Sequence, residues 1–304
     1  MKRCAVVIST AFLFALTASA LNPKYHIVQS VHALDADADG TSAVRSIVSY
    51  TYAGDRLIRT ISEVDDDEDG LMERRGTSNT TYNEAGQRIL TTSEWQTIAD
   101  GTIQTRSTIT YQYDASGRPI GAIAQGDRGA NGAIDSISRS TLAYDDRGNL
   151  VRQVFETDYD ADGVWDSRTI ITRAYDSANH LILQVREGIA IAENSVGVVT
   201  TSHYTLDENA NAVLVVSETR YGDEEMPPIL ETRRSAFNKH GDIVSSITEY
   251  DDGDEIADGT TKTTYVYDSH RNLVQRIDES DGDADGVADF IQTFTWTYER
   301  VKSN

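Results

Sequence analysis

One period of about 31 residues governs this chain and limits what it can fold into. Tyr113-Asp114-Ala115-Ser116-Gly117 returns as Tyr144-Asp145-Asp146-Arg147-Gly148, as Tyr175-Asp176-Ser177-Ala178-Asn179 and as Tyr267-Asp268-Ser269-His270-Arg271. The anchors are Tyr52, Tyr82, Tyr113, Tyr144, Tyr175, Leu206, Phe237, Tyr267 and Tyr298, with successive spacings of 30, 31, 31, 31, 31, 31, 30 and 31. A repeat this regular makes each unit one supersecondary element stacked on its neighbours.

The first punctuation mark in each unit is the Tyr-Asp-x-x-Gly turn. Its Asp bonds its own backbone, and its Gly supplies a left-handed position, as in short hairpin loops. Asn179 tolerates that conformation. Ala210 and Arg271 do not, so the turn is expected to shift onto Asn211 or Asn272 there. The second mark, half a repeat away, is an Asp-rich loop. Between the marks the pattern has period two: Phe290, Gln292, Phe294, Trp296 and Tyr298 alternate with Ile291, Thr293, Thr295 and Thr297. The expected fold is all-β, with hairpin repeats forming one long antiparallel sheet. About nine hairpins, eighteen strands at ~4.8 Å each, give a sheet roughly 80 Å long. Twist and the aromatic face then curl it into a superhelical shell, a roll or a wide barrel.

Composition narrows the function. With 27 Lys+Arg against 49 Asp+Glu, the net charge of -22 excludes phosphate-driven nucleic-acid binding. Fifteen Tyr and a 39% apolar fraction exclude a disordered acidic tail. A single cysteine, Cys4, excludes a disulfide scaffold. Lys2 and Arg3, the apolar run from Ala5 to Leu16 and Ala18-Ser19-Ala20 have the layout of a secretory signal peptide. The reading is a signal peptide over 1–20 and a single β-repeat domain over 21–304, secreted to the periplasm or outside the cell.

The Asp loops carry the strongest chemical signal. Asp158, Asp160, Asp162 and Asp166, and likewise Asp281, Asp283, Asp285 and Asp289, stand at loop positions 1, 3, 5 and 9. Gly163 and Gly286 at position 6 allow the bend, and the carbonyls of Val164 and Val287 at position 7 add an oxygen. Hard oxygens in this number suit calcium. Thr169 and Gln292 stand where an EF-hand needs its bidentate Glu. Partial copies are Asp65, Asp67, Asp69 and Glu73; Asp35, Asp37 and Asp39, with Ala43 at position 9; and Asp127, Asn131 and Asp135. The acidic positions near 251 have lost register, and those near 96, 189 and 220 read as ordinary loops.

The Tyr-Asp-x-x-Gly-x-Leu turns, as in Tyr144–Leu150, resemble the YD repeats of Rhs-type bacterial proteins. That resemblance implies a long curled or spiral β-sheet. The Asp loops look like the strand–loop–strand calcium loops of integrin-type repeats.

No nucleophile elbow, phosphate loop or zinc spacing occurs, and the six His are scattered, so the chain reads as non-enzymatic. The leading expectation is a secreted, calcium-binding repeat protein acting as a surface, adhesion or scaffold element. Its partners would be calcium and a glycan or protein ligand, with neither nucleic acid nor membrane. Trp95, Trp165 and Trp296 are the residues to probe for sugar stacking. The alternatives are a glycan-binding module and an outer-membrane β-barrel. Against the barrel, Arg152 and Glu156 share a strand face with Leu150 and Val154.

Overall fold

The computed structural model describes residues 25–35, 44–66, 71–190, 195–222, 227–252 and 258–300. The expected signal peptide lies outside them, as do Asp37, Asp39, Asp67 and Asp69. Eighteen strands follow one another: β1 (Tyr25–Asp35), β2 (Val44–Ala53), β3 (Arg56–Asp65), β4 (Arg74–Tyr82), β5 (Arg88–Thr97), β6 (Ile103–Tyr113), β7 (Pro119–Asp127), β8 (Ser136–Tyr144) and β9 (Leu150–Asp158) form the first half. The second half is β10 (Ser167–Tyr175), β11 (Leu181–Ala190), β12 (Ser195–Leu206), β13 (Ala212–Tyr221), β14 (Ile229–Phe237), β15 (Ile243–Asp251), β16 (Gly259–Tyr267), β17 (Leu273–Asp281) and β18 (Phe290–Arg300).

Each strand pairs antiparallel with the next, and β1 also pairs with β18 from Tyr25↔Arg300 to Asp35↔Ile291. The sheet is therefore a closed barrel. Of the three expected shapes, the superhelical shell and the roll are corrected. Closure gives the β1 and β18 edges a partner, which an open shell would leave exposed.

The turns follow the motif closely. Asp114 Oδ1 accepts the N–H of Ser116 and of Arg118, and the Gly117 N–H closes onto the Asp114 carbonyl. Asp145, Asp176, Asp207, Asn238 and Asp268 repeat the pattern. The turn does not shift where Gly is missing. Ala210 and Arg271 themselves adopt φ of 64° and 67°, as Asn179 does at 68°. Their neighbours Asn211 and Asn272 are committed elsewhere, each donating its side-chain amide to the turn Asp. The strain gives a prediction: Ala210→Gly should stabilise the fold by roughly 0.5–1 kcal/mol, read by urea denaturation. A fall in stability would contradict the left-handed assignment.

The anchor aromatic has a structural reason. A β-bulge precedes it in hairpin after hairpin, as between Thr81/Tyr82, Gln112/Tyr113 and Ala143/Tyr144. The bulge re-aims the ring so that its hydroxyl reaches the preceding strand pair. Tyr82, Tyr113, Tyr144, Tyr175, Tyr267 and Tyr298 donate to the carbonyls of Leu57, Arg88, Pro119, Leu150, Ile243 and Leu273 at 2.7–3.0 Å. Each tyrosine thus fastens one hairpin to the one before it.

The register divides every strand into two faces. One carries Ser30, Gln153, Ser202, Val215, Ser217, Ser246, Thr263 and Asp278, all buried. The other carries most of the exposed strand residues, among them Arg59, Asn79, Glu94, Arg106, Gln125, Arg152 and Lys262. Side chains crowd on the concave side of a closed sheet and splay on its convex side, so the first face lines the lumen. Tyr50, Trp95, Tyr111, Phe294 and Trp296 share it. Val215 is the one buried apolar side chain among the described residues. A barrel of this strand number encloses a channel rather than a packed core.

Ion pairs run across the outer face: Glu63–Arg75, Glu94–Arg106, Arg234–Glu249 and Lys262–Glu279. Glu156 sits between Arg139 and Arg168 and is the outer face's buried mid-strand acid, 5% exposed.

Candidate metal centre

Among the described residues, the Asp loops sit at the barrel end opposite the Tyr-Asp turns, because each joins a strand pair at its other end. In the loop after β9, Asp158 is the last strand residue and is 2% exposed. Its Oδ2 accepts the Gly163 N–H at 2.9 Å, which draws the chain around the bend that Gly163 makes at φ 92°. Asp166 Oδ2 takes the Tyr159 N–H at 2.6 Å, and Asp162 Oδ1 takes the Val164 N–H at 2.8 Å. Asp158, Asp160 and Asp166 each bring a carboxylate oxygen to within 4.8 Å of the others. Arg139 lies over the Trp165 ring at 4.8 Å and pins the loop to the outer face.

The second full copy closes similarly. Asp281, Asp283 and Asp285 come within 4.8 Å of one another, while Asp289 Oδ2 accepts the Gly282 N–H. Asp281 differs from Asp158 in that both its oxygens accept N–H groups, from Asp285 at 3.2 Å and Gly286 at 2.7 Å.

The partial copies diverge. Asp127 Oδ1 and Oδ2 accept the N–H of Asn131 and Gly132, and Asp135 Oδ2 accepts that of Arg128. That loop is closed by its own backbone. Near Asp65, the neighbouring Asp66 is ion-paired with Arg74, and Glu73 accepts the Asp66 N–H at 2.5 Å. Asp35 ends β1 opposite Ile291. The loop at 251, read as out of register, brings Asp251, Asp252 and Asp258 within 4.8 Å. The spacing template missed it because two adjacent acids there stand in for alternate positions.

At the other barrel end, the turn aspartates have carboxyls below the ordinary range. The Arg118 N–H and side chain do this for Asp114, the Asn149 side chain for Asp145, the His180 N–H for Asp176 and the Asn211 side chain for Asp207. Depressed folded values mean the stabilisation is full above the unfolded value near 3.9 and is lost as pH falls through the folded values. Melting temperature should therefore hold from about pH 7 to 5 and drop steeply below about pH 4. A melt flat from pH 5 to 2.5 would show that these carboxylates do not hold the turns.

No family model matches the chain, and no curated protein matches it. Among solved structures it is similar to a porin-like protein from Bacteroides uniformis, with a TM-score of 0.44 at 12% identity over 90% of this chain and 98% of that one. A porin-like protein from Bacteroides vulgatus gives 0.38 at 10% identity, over 64% of this chain and 93% of that one. The Photorhabdus luminescens Tc holotoxin pore gives 0.24 at 12% identity, over 88% of this chain but 18% of that one. At these scores the likenesses carry no argument about function or family. No helix among the described residues is long and apolar enough to cross a membrane, which says nothing of strands.

Proposed function

We propose that this chain is a hollow β-barrel of the cell envelope, the outer-membrane-barrel alternative in preference to an open calcium-stabilised scaffold. The observation that carries the reading is closure: eighteen antiparallel strands, an even number, each paired with its chain neighbour and sealed by β1–β18. Membrane-spanning barrels of bacteria share that build. The lumen offers Ser, Thr and Gln hydroxyls and amides beside Tyr and Trp rings, a surface suited to small polar solutes or sugars. No reaction is assigned to it.

A second reading has its own observation. The outer face carries the ion-paired rows Glu63–Arg75, Glu94–Arg106 and Lys262–Glu279. An Arg or Lys on a lipid-facing strand costs about 2–4 kcal/mol at the bilayer midplane. These rows favour a barrel that stands in water within the envelope. Detergent phase partitioning with unheated gel electrophoresis separates the two. An outer-membrane barrel enters the detergent phase and migrates faster unheated than boiled. A water-borne barrel stays in the aqueous phase, and that result would overturn the outer-membrane placement.

A further inference from the structure

We propose that the Asp158–Asp166 loop binds one calcium ion, through Asp158 Oδ1, Asp160 and Asp166, with the Val164 carbonyl as the neutral oxygen. The loop contains an unmet demand. Asp158 is 2% exposed, yet its Oδ1 has no hydrogen-bond partner. A buried carboxylate oxygen left bare is costly. Its other oxygen is taken by Gly163, so the carboxylate is held in place and cannot turn to find a donor.

This carboxylate faces its own kind. Asp158, Asp160 and Asp166 each bring one carboxylate oxygen to within 4.8 Å of the others. Ligands on one calcium at about 2.4 Å lie at most about 4.8 Å apart, so the three oxygens fit around a single ion. Three carboxylates, a carbonyl and water reach the six to eight oxygens calcium takes, whereas Mg²⁺ asks for a tighter octahedron. Unlike Asp66, which Arg74 neutralises, Asp158, Asp160, Asp162 and Asp166 have no ion pair with Lys or Arg among the described residues.

The neighbouring loops sharpen the assignment. Asp127 and Asp281 stand at the same loop position, and N–H groups occupy both oxygens of each. In the Asp281 loop the position-5 N–H is shared between Asp281 Oδ1 at 3.2 Å and Asp283 Oδ1 at 3.3 Å; in the Asp158 loop it reaches only Asp160 Oδ1, at 3.3 Å, and Asp158 Oδ1 is left open. The proposal is independent of where the barrel resides, since the loop lies beyond the strands.

The test is calcium titrated into the chelator-treated full chain, by calorimetry and thermal melt, with Asp160→Asn as the variant. Asp160 is exposed, so the barrel should persist, as circular dichroism would verify. The expected result is calcium binding below roughly 1 mM, a higher melting temperature, and about tenfold or greater loss of affinity in Asp160→Asn. Terbium in place of calcium should luminesce on tryptophan excitation and lose that signal in Trp165→Phe, which locates the ion beside Asp166. No heat up to roughly 5 mM calcium would overturn the proposal. So would unchanged affinity in Asp160→Asn, or a terbium signal that survives Trp165→Phe, because the ion would then sit in another loop.

Discussion

Ending the chain at Asp289 is expected to yield aggregates in place of a monodisperse barrel. Strand β18 (Phe290–Arg300) bonds to β17 from Gln275↔Thr295 to Ser280↔Phe290 and to β1 along nearly its whole length. Removing it exposes two long edges at once, and unpaired edges recruit other chains. The Tyr298 bond to Leu273 and the Phe294–Trp296 stack go with it. The monodisperse fraction after refolding, in detergent or in buffer, should fall by on the order of tenfold or more. A circular permutant supplies the control. Tyr25 stands opposite Arg300, so a short linker can join the ends of β1 and β18, with new termini opened in the mostly exposed loop between β7 and β8. That chain keeps every strand pair and should remain monodisperse. If the truncated chain behaves as well as the full one, β18 does not seal the sheet.

Glu156→Ala should be the most damaging single change on the outer face. Glu156 Oε1 accepts from Arg168 Nε at 3.0 Å and Nη2 at 2.6 Å, and its Oε2 accepts from Arg139 Nε at 3.0 Å. Truncation leaves two guanidiniums facing each other across β9 with nothing between them. Charge-assisted bonds of this kind contribute about 1.5–3 kcal/mol, and breaking a fully buried pair costs more. Both arginines stay more than 40% exposed, at 45% and 41%, so water compensates part of the loss. The expected loss is about 2 kcal/mol in urea denaturation, lowering the melting temperature by roughly 5 °C. Glu156→Gln keeps the shape and some of the bonds and should lose about half as much. Equal losses in the two variants would mean that the site works by packing and not by charge.

The repeat made much of this fold readable in advance. Tyr-Asp turns and period-two segments specify hairpins through local chemistry, and the count of eighteen strands follows from the spacing. Closure was not readable. Pairing of Val31 with Thr295 depends on twist and stagger accumulated over the whole sheet, and no local motif encodes that sum. Ala210 and Arg271 depart from the sequence expectation for a related reason. Their intrinsic preference opposes positive φ, but the Asp cap and the bulge before Leu206 and Tyr267 impose it. The geometry of the acidic loops was partly legible. Spacing singles out Asp158, Asp160 and Asp166 as one acidic cluster, but only the structure distinguishes the bare oxygen of Asp158 from the satisfied ones of Asp127. The Asp251, Asp252 and Asp258 group has adjacent acids, so a spacing template passes over it.

The most direct test of the closed barrel is a cross-strand disulfide between its first and last strands. Val31 and Thr295 are register partners in an antiparallel pair, which places their Cα atoms about 4.5–5.5 Å apart, within disulfide reach. In a Cys4→Ser background, Val31→Cys with Thr295→Cys should oxidise within one molecule. The linked chain should run as a monomer of altered mobility that reduction restores. A pair that stays reduced, or that links only between molecules, would place β1 and β18 apart and contradict the closed barrel.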